Sequence, residues 1–219
     1  VINWVLVLMT TLALMSALLA PWLTQYLLAP GFGEQQLGLT ASLMRIMLVS
    51  TVVFGASGVV MGIHHSHQHF LVPALAPISY NLGIILGATV LAPRWGIHGL
   101  AYGVVIGSVL HLVVQIPRLI SYQGRYMLIL DIGNKAVHEI WRLMLPRMLG
   151  LAVWQINFWV NIVIASSLPA GSLSALVIAF QIFTFPQAVC AQAVATAVFP
   201  TFSAQAALGE VKALRDTLA

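Results

Sequence analysis

The sequence predicts an all-α fold, a polytopic bundle of about six transmembrane helices, and three observations carry that prediction. Of its 219 residues 60% are hydrophobic and only 6% charged. The mean hydropathy is +0.98. The apolar residues fall in long runs separated by short Pro-, Gly- or His-rich punctuation. A soluble domain is about a quarter charged, so this chain could not cover a water-facing surface, and hydrocarbon must solvate most of it.

The runs follow in order, each near the roughly 20 residues a spanning helix needs. The first covers about Asn3 to Leu28 and ends in Ala29-Pro30-Gly31-Phe32-Gly33. The second, about Thr40 to Ile63, ends at His64-His65-Ser66-His67-Gln68-His69. The third, about Phe70 to Ala92, is closed by Pro93-Arg94-Trp95-Gly96, and the fourth, about Ile97 to Ile116, by Pro117-Arg118. A polar stretch from Arg118 to Arg142 follows, and within it Asn134 to Leu145 reads as a short amphipathic helix at the membrane surface. Val137, Ile140, Trp141 and Met144 form its apolar face, with Asn134 as the N-cap. The fifth run is about Leu145 to Leu168; Pro169-Ala170-Gly171-Ser172 turns the chain into the sixth, about Leu173 to Phe202. A polar tail completes the chain.

Residue 1 is Val, and the first apolar run starts without a basic segment, so the chain is expected to begin inside a larger protein rather than with a secretory signal. Its formal net charge of +4 reports orientation, not nucleic-acid binding. Arg118, Arg125, Lys135, Arg142, Arg147, Lys212 and Arg215 would share one face, against Arg94 and Arg45 on the other, which predicts both ends cytoplasmic. Trp4 and Trp22 lie about 27 Å apart along a straight helix, suiting the two interfacial belts. Gly58 and Gly62, Gly83 and Gly87, and Gly99, Gly103 and Gly107 recur at four-residue spacing, which predicts close helix packing. The single Cys190 excludes an intrachain disulfide.

The motifs contain no phosphate-binding glycine loop, nucleophile elbow or paired carboxylates, so no catalytic role, cofactor or metal is expected. The His64–His69 cluster reads as a solvated turn rather than a metal site, because no Cys or carboxylate accompanies it. Arg45 and His111 lie within two turns of span ends and are expected to snorkel. The fifth run is more informative. At about 100° per residue, Arg147, Gly150, Trp154, Asn157 and Asn161 share one stripe. Polar groups in a membrane helix face protein or a water-filled cavity, so this stripe is a candidate lining for a polar, anionic headgroup; helix–helix hydrogen bonding is the competing reading. On the sixth run Ser174, Gln181 and Thr184 share a face ahead of the Phe185-Pro186 kink.

These pieces, in this order, resemble the MurJ/MviN family of lipid II flippases, within the multidrug/oligosaccharidyl-lipid/polysaccharide exporter superfamily. The matching segments are Leu28-Ala29-Pro30-Gly31-Phe32, Val72-Pro73-Ala74-Leu75-Ala76-Pro77 with Asn81, and Gln115-Ile116-Pro117. Met144-Leu145-Pro146-Arg147, Gln155-Ile156-Asn157, Ile164-Ala165-Ser166 and Ala195-Thr196-Ala197-Val198-Phe199-Pro200-Thr201-Phe202-Ser203 continue the match. The resemblance covers nearly the whole chain. It implies a larger two-lobed transporter of about fourteen helices that passes lipid-linked peptidoglycan precursor outward across the bacterial inner membrane by alternating access. Residues 1–117 would then belong to the N-lobe, 118–145 would be the cytoplasmic linker, and 146–219 would open the C-lobe. The implied partners are the bilayer, the lipid-linked glycan precursor and proteins of cell-wall synthesis.

One departure stands out. The six runs look like the third to the eighth helices of the family, and the family's Arg and Glu ahead of the Phe-Pro of the eighth are replaced here by Gln181 and Thr184. The substrate-lining candidates are therefore Arg147, Trp154, Asn157, Asn161, Gln181 and Thr184. The departure leaves two alternatives open: export of another polyprenyl-linked glycan or a drug, and a transport-inactive scaffold for cell-wall assembly.

Overall fold

In hydrocarbon a backbone amide has no water to pair with, so long apolar runs must close their hydrogen bonds within helices. The computed structural model describes residues 2–122, 135–169, 171–187 and 205, and every regular element among them is helical. Two compact units, Val1–Ser167 and Leu168–Ala219, divide the chain, and each is described by itself.

The first run is broken. It forms α1 (Ile2–Leu18) and α2 (Ala20–Leu28), bent by 66° about Leu19. Pro21 supplies the cause: it lacks an N–H, and its ring presses on the carbonyl four residues back, that of Ala17. Thr24, fully buried, folds its hydroxyl back onto the carbonyls of Ala20 and Pro21 at 2.9 and 3.0 Å. From Leu23 to Leu28 the helix loosens into a π turn. The bend removes the premise that Trp4 and Trp22 are separated along a straight rod. Trp22 is exposed, whereas the indole N–H of Trp4 is buried without a partner among the described residues.

α3 (Glu34–Ser66) starts at a cap in which the Gly33 amide donates to Gln36 Oε1 at 3.3 Å. It continues past Ile63, the expected end, and so carries His64 inside the helix. α4 (Leu71–Trp95) contains a π segment at Gly87–Leu91. Gly96, at φ 57°, reverses the chain into α5 (Ile97–Ser121) in a conformation that costs a residue with Cβ. α6 (Lys135–Ser166) closes the helices of the first unit, and α7 (Ser172–Pro186) belongs to the second.

α3, α4, α5 and α6 are long and apolar enough to cross a bilayer, and α1 with α2 makes a fifth if the bent pair is one span. The sixth expected run is described only to residue 187; the rest of it, Cys190 and the tail cations Lys212 and Arg215 lie outside the described residues. Arg125 and Asp131 of the polar stretch do too. The amphipathic stretch is not a separate short helix: α6 runs without a break from Lys135 through Pro146 to Ser166.

The packing of α4 on α5 is set by glycine. A Cβ built on Gly103 would sit 2.6 Å from the Gly87 Cα, and one on Gly87 would sit 2.5 Å from the Gly103 Cα. Gly83 meets Gly107 in the same way, and Gly99 abuts the Leu91–Ala92 backbone. Backbones can approach this closely only where neither side chain intervenes. Gly58 and Gly62 do not share this role; both are exposed on α3 and a Cβ would meet nothing within 4 Å.

Candidate functional site

The stripe predicted on the fifth run lies on α6, and Arg147, Gly150, Trp154, Asn157 and Asn161 are all exposed there. The opposite face of α6 is the one that docks. Trp159 donates its indole N–H to the Leu27 carbonyl at 2.7 Å, and the Gly31 amide reaches Ser166 Oγ at 3.4 Å. A Cβ on Gly31 would collide with the Ser166–Ser167 backbone, so only glycine permits this approach. At about 100° per residue the Trp159–Ser166 face and the centre of the polar stripe are roughly 150° apart. Docking against α2 therefore turns the stripe outward.

Within the stripe the two amides are joined. Asn161 Nδ2 donates to the Asn157 carbonyl at 2.9 Å and approaches Asn157 Oδ1 at 3.4 Å. This i to i+4 link ties Asn161 to Asn157, and both residues remain exposed. In α7 the Thr184 hydroxyl donates to the Phe180 carbonyl at 2.9 Å, and Gln181 is exposed. The four α6 candidates thus share one surface, and Gln181 and Thr184 share another in the second unit.

A polar assembly that the sequence reading missed joins α3 to α5. Ser57, His64, His111 and Gln115 are all buried. Gln115 Nε2 donates to Ser57 Oγ at 2.7 Å and to the His111 carbonyl at 2.9 Å. Ser57 Oγ lies 2.7 Å from His111 Nδ1. His64 Nε2 lies 3.1 Å from the Gln115 carbonyl, and its Nδ1 lies 3.0 Å from the Tyr122 hydroxyl. A carbonyl can only accept, so Nε2 carries the proton, and in the neutral ring Nδ1 accepts from the Tyr122 hydroxyl. The signal was present: Ser50, Ser57 and His64 recur every seven residues on α3, and Ser108, His111 and Gln115 at three- and four-residue steps on α5, all buried.

Two expectations change as a result. His111 does not snorkel; it is 8% exposed and held by Ser57. The His64–His69 segment is not wholly a solvated turn, since His64 is fully buried and His67 stacks on Tyr122 at 4.1 Å between ring centroids. Arg118 contacts the His69 ring and lies 5.6 Å from the Tyr122 ring centroid. His65, on the last turn of α3, and His67, in the turn beyond it, are exposed. Among the described residues no three His, Cys, Asp or Glu gather to hold a metal. A groove of about 690 Å³ along α4 and α5, lined by Leu91, Trp95, His98 and Tyr102, contains none of the predicted site residues.

The family model described as lipid II flippase MurJ matches residues 1–219. A protein of Burkholderia cenocepacia named "Lipid II flippase MurJ" is 27% identical over 175 residues, 77% of this chain and 34% of that protein. A Bdellovibrio bacteriovorus protein named "Probable lipid II flippase MurJ" is 30% identical over 182 residues, 82% of this chain and 35% of that protein. One from Vibrio cholerae with the same name is 32% identical over 136 residues, 61% of this chain and 26% of that protein. The chain spans about a third of the length of the curated relatives it matches. With its whole length matched, its helical bundle and its span order, the chain belongs to the lipid II flippase MurJ family.

Proposed function

We propose that the intact protein is a flippase that moves the lipid-linked peptidoglycan precursor, lipid II, across the bacterial cytoplasmic membrane. The headgroup is anionic and too polar to enter hydrocarbon unaided, so its carrier needs a polar surface sheltered from lipid and reachable from each leaflet in turn. The observation that carries this reading is the α6 stripe. Arg147, Trp154, Asn157 and Asn161 are held on the face of the helix turned away from α2, where they are exposed.

In this reading Arg147 meets phosphate charge, the Asn157 amide meets sugar or peptide polar groups, and Trp154 stacks on a sugar face. In the second unit, taken by itself, Gln181 and Thr184 offer uncharged hydrogen-bonding groups. The lobe boundary falls in the polar stretch 118–145, and both ends of the chain lie on the cytoplasmic side, as the distribution of Lys and Arg favours. Proteins of cell-wall synthesis are the natural neighbours of such a carrier.

Complementation tests the reading. The full-length protein expressed in a bacterial strain depleted of its own lipid II flippase should restore growth and rod or coccal shape. Failure to do so at normal membrane abundance would contradict it.

A further inference from the structure

Arg45 is placed unusually. It sits on α3 about 16 Å along the helix from Glu34, a depth at which a helix longer than 30 Å is entering hydrocarbon. Its Nε donates to the Ala17 carbonyl at 3.0 Å, which uses one of its five N–H groups and fixes the guanidinium beside the bend of the first run. The remaining donors, on the two Nη atoms, make no hydrogen bond among the described residues. Arg45 is exposed, so these donors face outward.

Below that guanidinium, between α1 and α3, lies a groove of about 310 Å³. Its walls include Ala13, Leu14 and Ala17 on α1 and Val49, Val52 and Val53 on α3. Ala13 forms a floor that is 9% exposed, while Leu14 and Val49 stand at the rims at 61% and 52%. From Arg45 to Val53 the groove descends about 12 Å along α3. A fixed cation at the headgroup boundary thus stands over an open apolar channel that runs toward the bilayer centre.

We propose that this groove is a binding site for an anionic glycerophospholipid of the bilayer. The lipid phosphate pairs with the free Nη groups of Arg45, and one acyl chain lies between α1 and α3. The charge decides the class: the phosphate of a zwitterionic lipid is already balanced by its own ammonium, whereas that of an anionic lipid is free to neutralise the guanidinium in a medium where unpaired charge is costly. Apart from Thr10 and Arg45 the lining is apolar and offers a sugar or peptide headgroup few hydrogen-bonding partners. The site does not depend on what the protein transports. Its occupant braces the bent α1–α2 segment against α3 through the same residue that caps Ala17.

Native mass spectrometry of the full-length protein released from nanodiscs of mixed phosphatidylglycerol and phosphatidylcholine tests this. The wild type should retain one phosphatidylglycerol in preference to phosphatidylcholine. Arg45→Gln, which keeps a donor for Ala17 but removes the charge, should weaken that retention about tenfold, the loss of one charge-assisted contact. Leu14→Trp, which fills the groove and leaves Arg45 in place, should displace the same lipid. Equal retention of the two lipids by the wild type would overturn the proposal. So would unchanged phosphatidylglycerol retention in both variants, the result expected if another helix of the intact protein covers the groove.

Discussion

The guanidinium of Arg45 donates to the backbone carbonyl of Ala17 at 3.0 Å, from one helix to the bend in its neighbour. Ala17 is the residue four before Pro21, the one whose carbonyl a helical N–H at position 21 would have satisfied. Proline removes that donor, and a side chain from α3 replaces it. The contact converts a helix defect into a point of attachment.

A double-mutant cycle follows from it. Arg45→Ala should cost about 1 kcal/mol in detergent unfolding experiments, because it strands a carbonyl in low-dielectric surroundings. In a Pro21→Ala background the N–H at position 21 returns, and the Arg45→Ala penalty should shrink toward zero. Equal penalties in both backgrounds would mean that Arg45 does not compensate for the proline.

The α4–α5 interface makes a sharper prediction. Gly103→Val forces a branched side chain against the Gly87 backbone and should destabilise the protein by about 3 kcal/mol or prevent its accumulation. Gly62→Ala, at a position open on α3, should leave the melting temperature unchanged. Equal effects at the two glycines would contradict the packing described.

The buried polar ladder predicts non-additivity. Gln115→Leu removes the group that bridges Ser57 and the His111 carbonyl, and Ser57→Ala removes the partner of both Gln115 and His111. Each should cost about 1–3 kcal/mol, and the double variant clearly less than the sum, because the two act in one network. Thermal denaturation of the four proteins measures the coupling, and strict additivity would show that the contacts are independent.

The two faces of α6 should separate by readout. Trp159→Phe loses the 2.7 Å bond to Leu27 and should lower stability by about 1 kcal/mol. Asn157→Leu, on the exposed stripe, should leave stability unchanged or raise it slightly and act on transport alone. A stability loss from Asn157→Leu that matched the Trp159 variant would place the stripe in the packed core.

Much of this architecture was legible in the sequence, because hydrocarbon makes span length and punctuation decisive. The turn at Ala29–Gly33 and the close packing of the Gly83, Gly87, Gly99, Gly103 and Gly107 faces were read from residue type and spacing, whereas α4 runs on through Pro93 to Trp95 before the chain turns at Gly96, and Gly58 and Gly62 pack on nothing among the described residues. The α6 stripe was also legible, since a 3.6-residue period over a long helix leaves little ambiguity. What escaped was partnership between helices. Ser57 and Gln115 are more than fifty residues apart, and a seven-residue recurrence of small polar groups reads as neutral until a facing helix with the same pattern is set against it. His64 was misread for a related reason: its neighbours His65 and His67 are exposed, and burial of one imidazole depends on Tyr122 closing over it. The bend at Leu19 was carried by Pro21, a residue tolerated within many membrane helices, so the direction of the chain beyond it was not written in the apolar pattern.

The central claim is that the α6 stripe lines the route of a lipid-linked anionic headgroup. Its most direct test is the rate at which lipid II loaded in the inner leaflet of vesicles containing the full-length protein becomes accessible to an externally added enzyme that cleaves it. Asn157→Leu should slow that rate about fivefold, the equivalent of one lost neutral hydrogen bond of about 1 kcal/mol, while Val160→Leu, off the stripe, should match the wild type. Wild-type rates in the Asn157→Leu and Arg147→Gln variants alike, at equal protein content, would contradict the account.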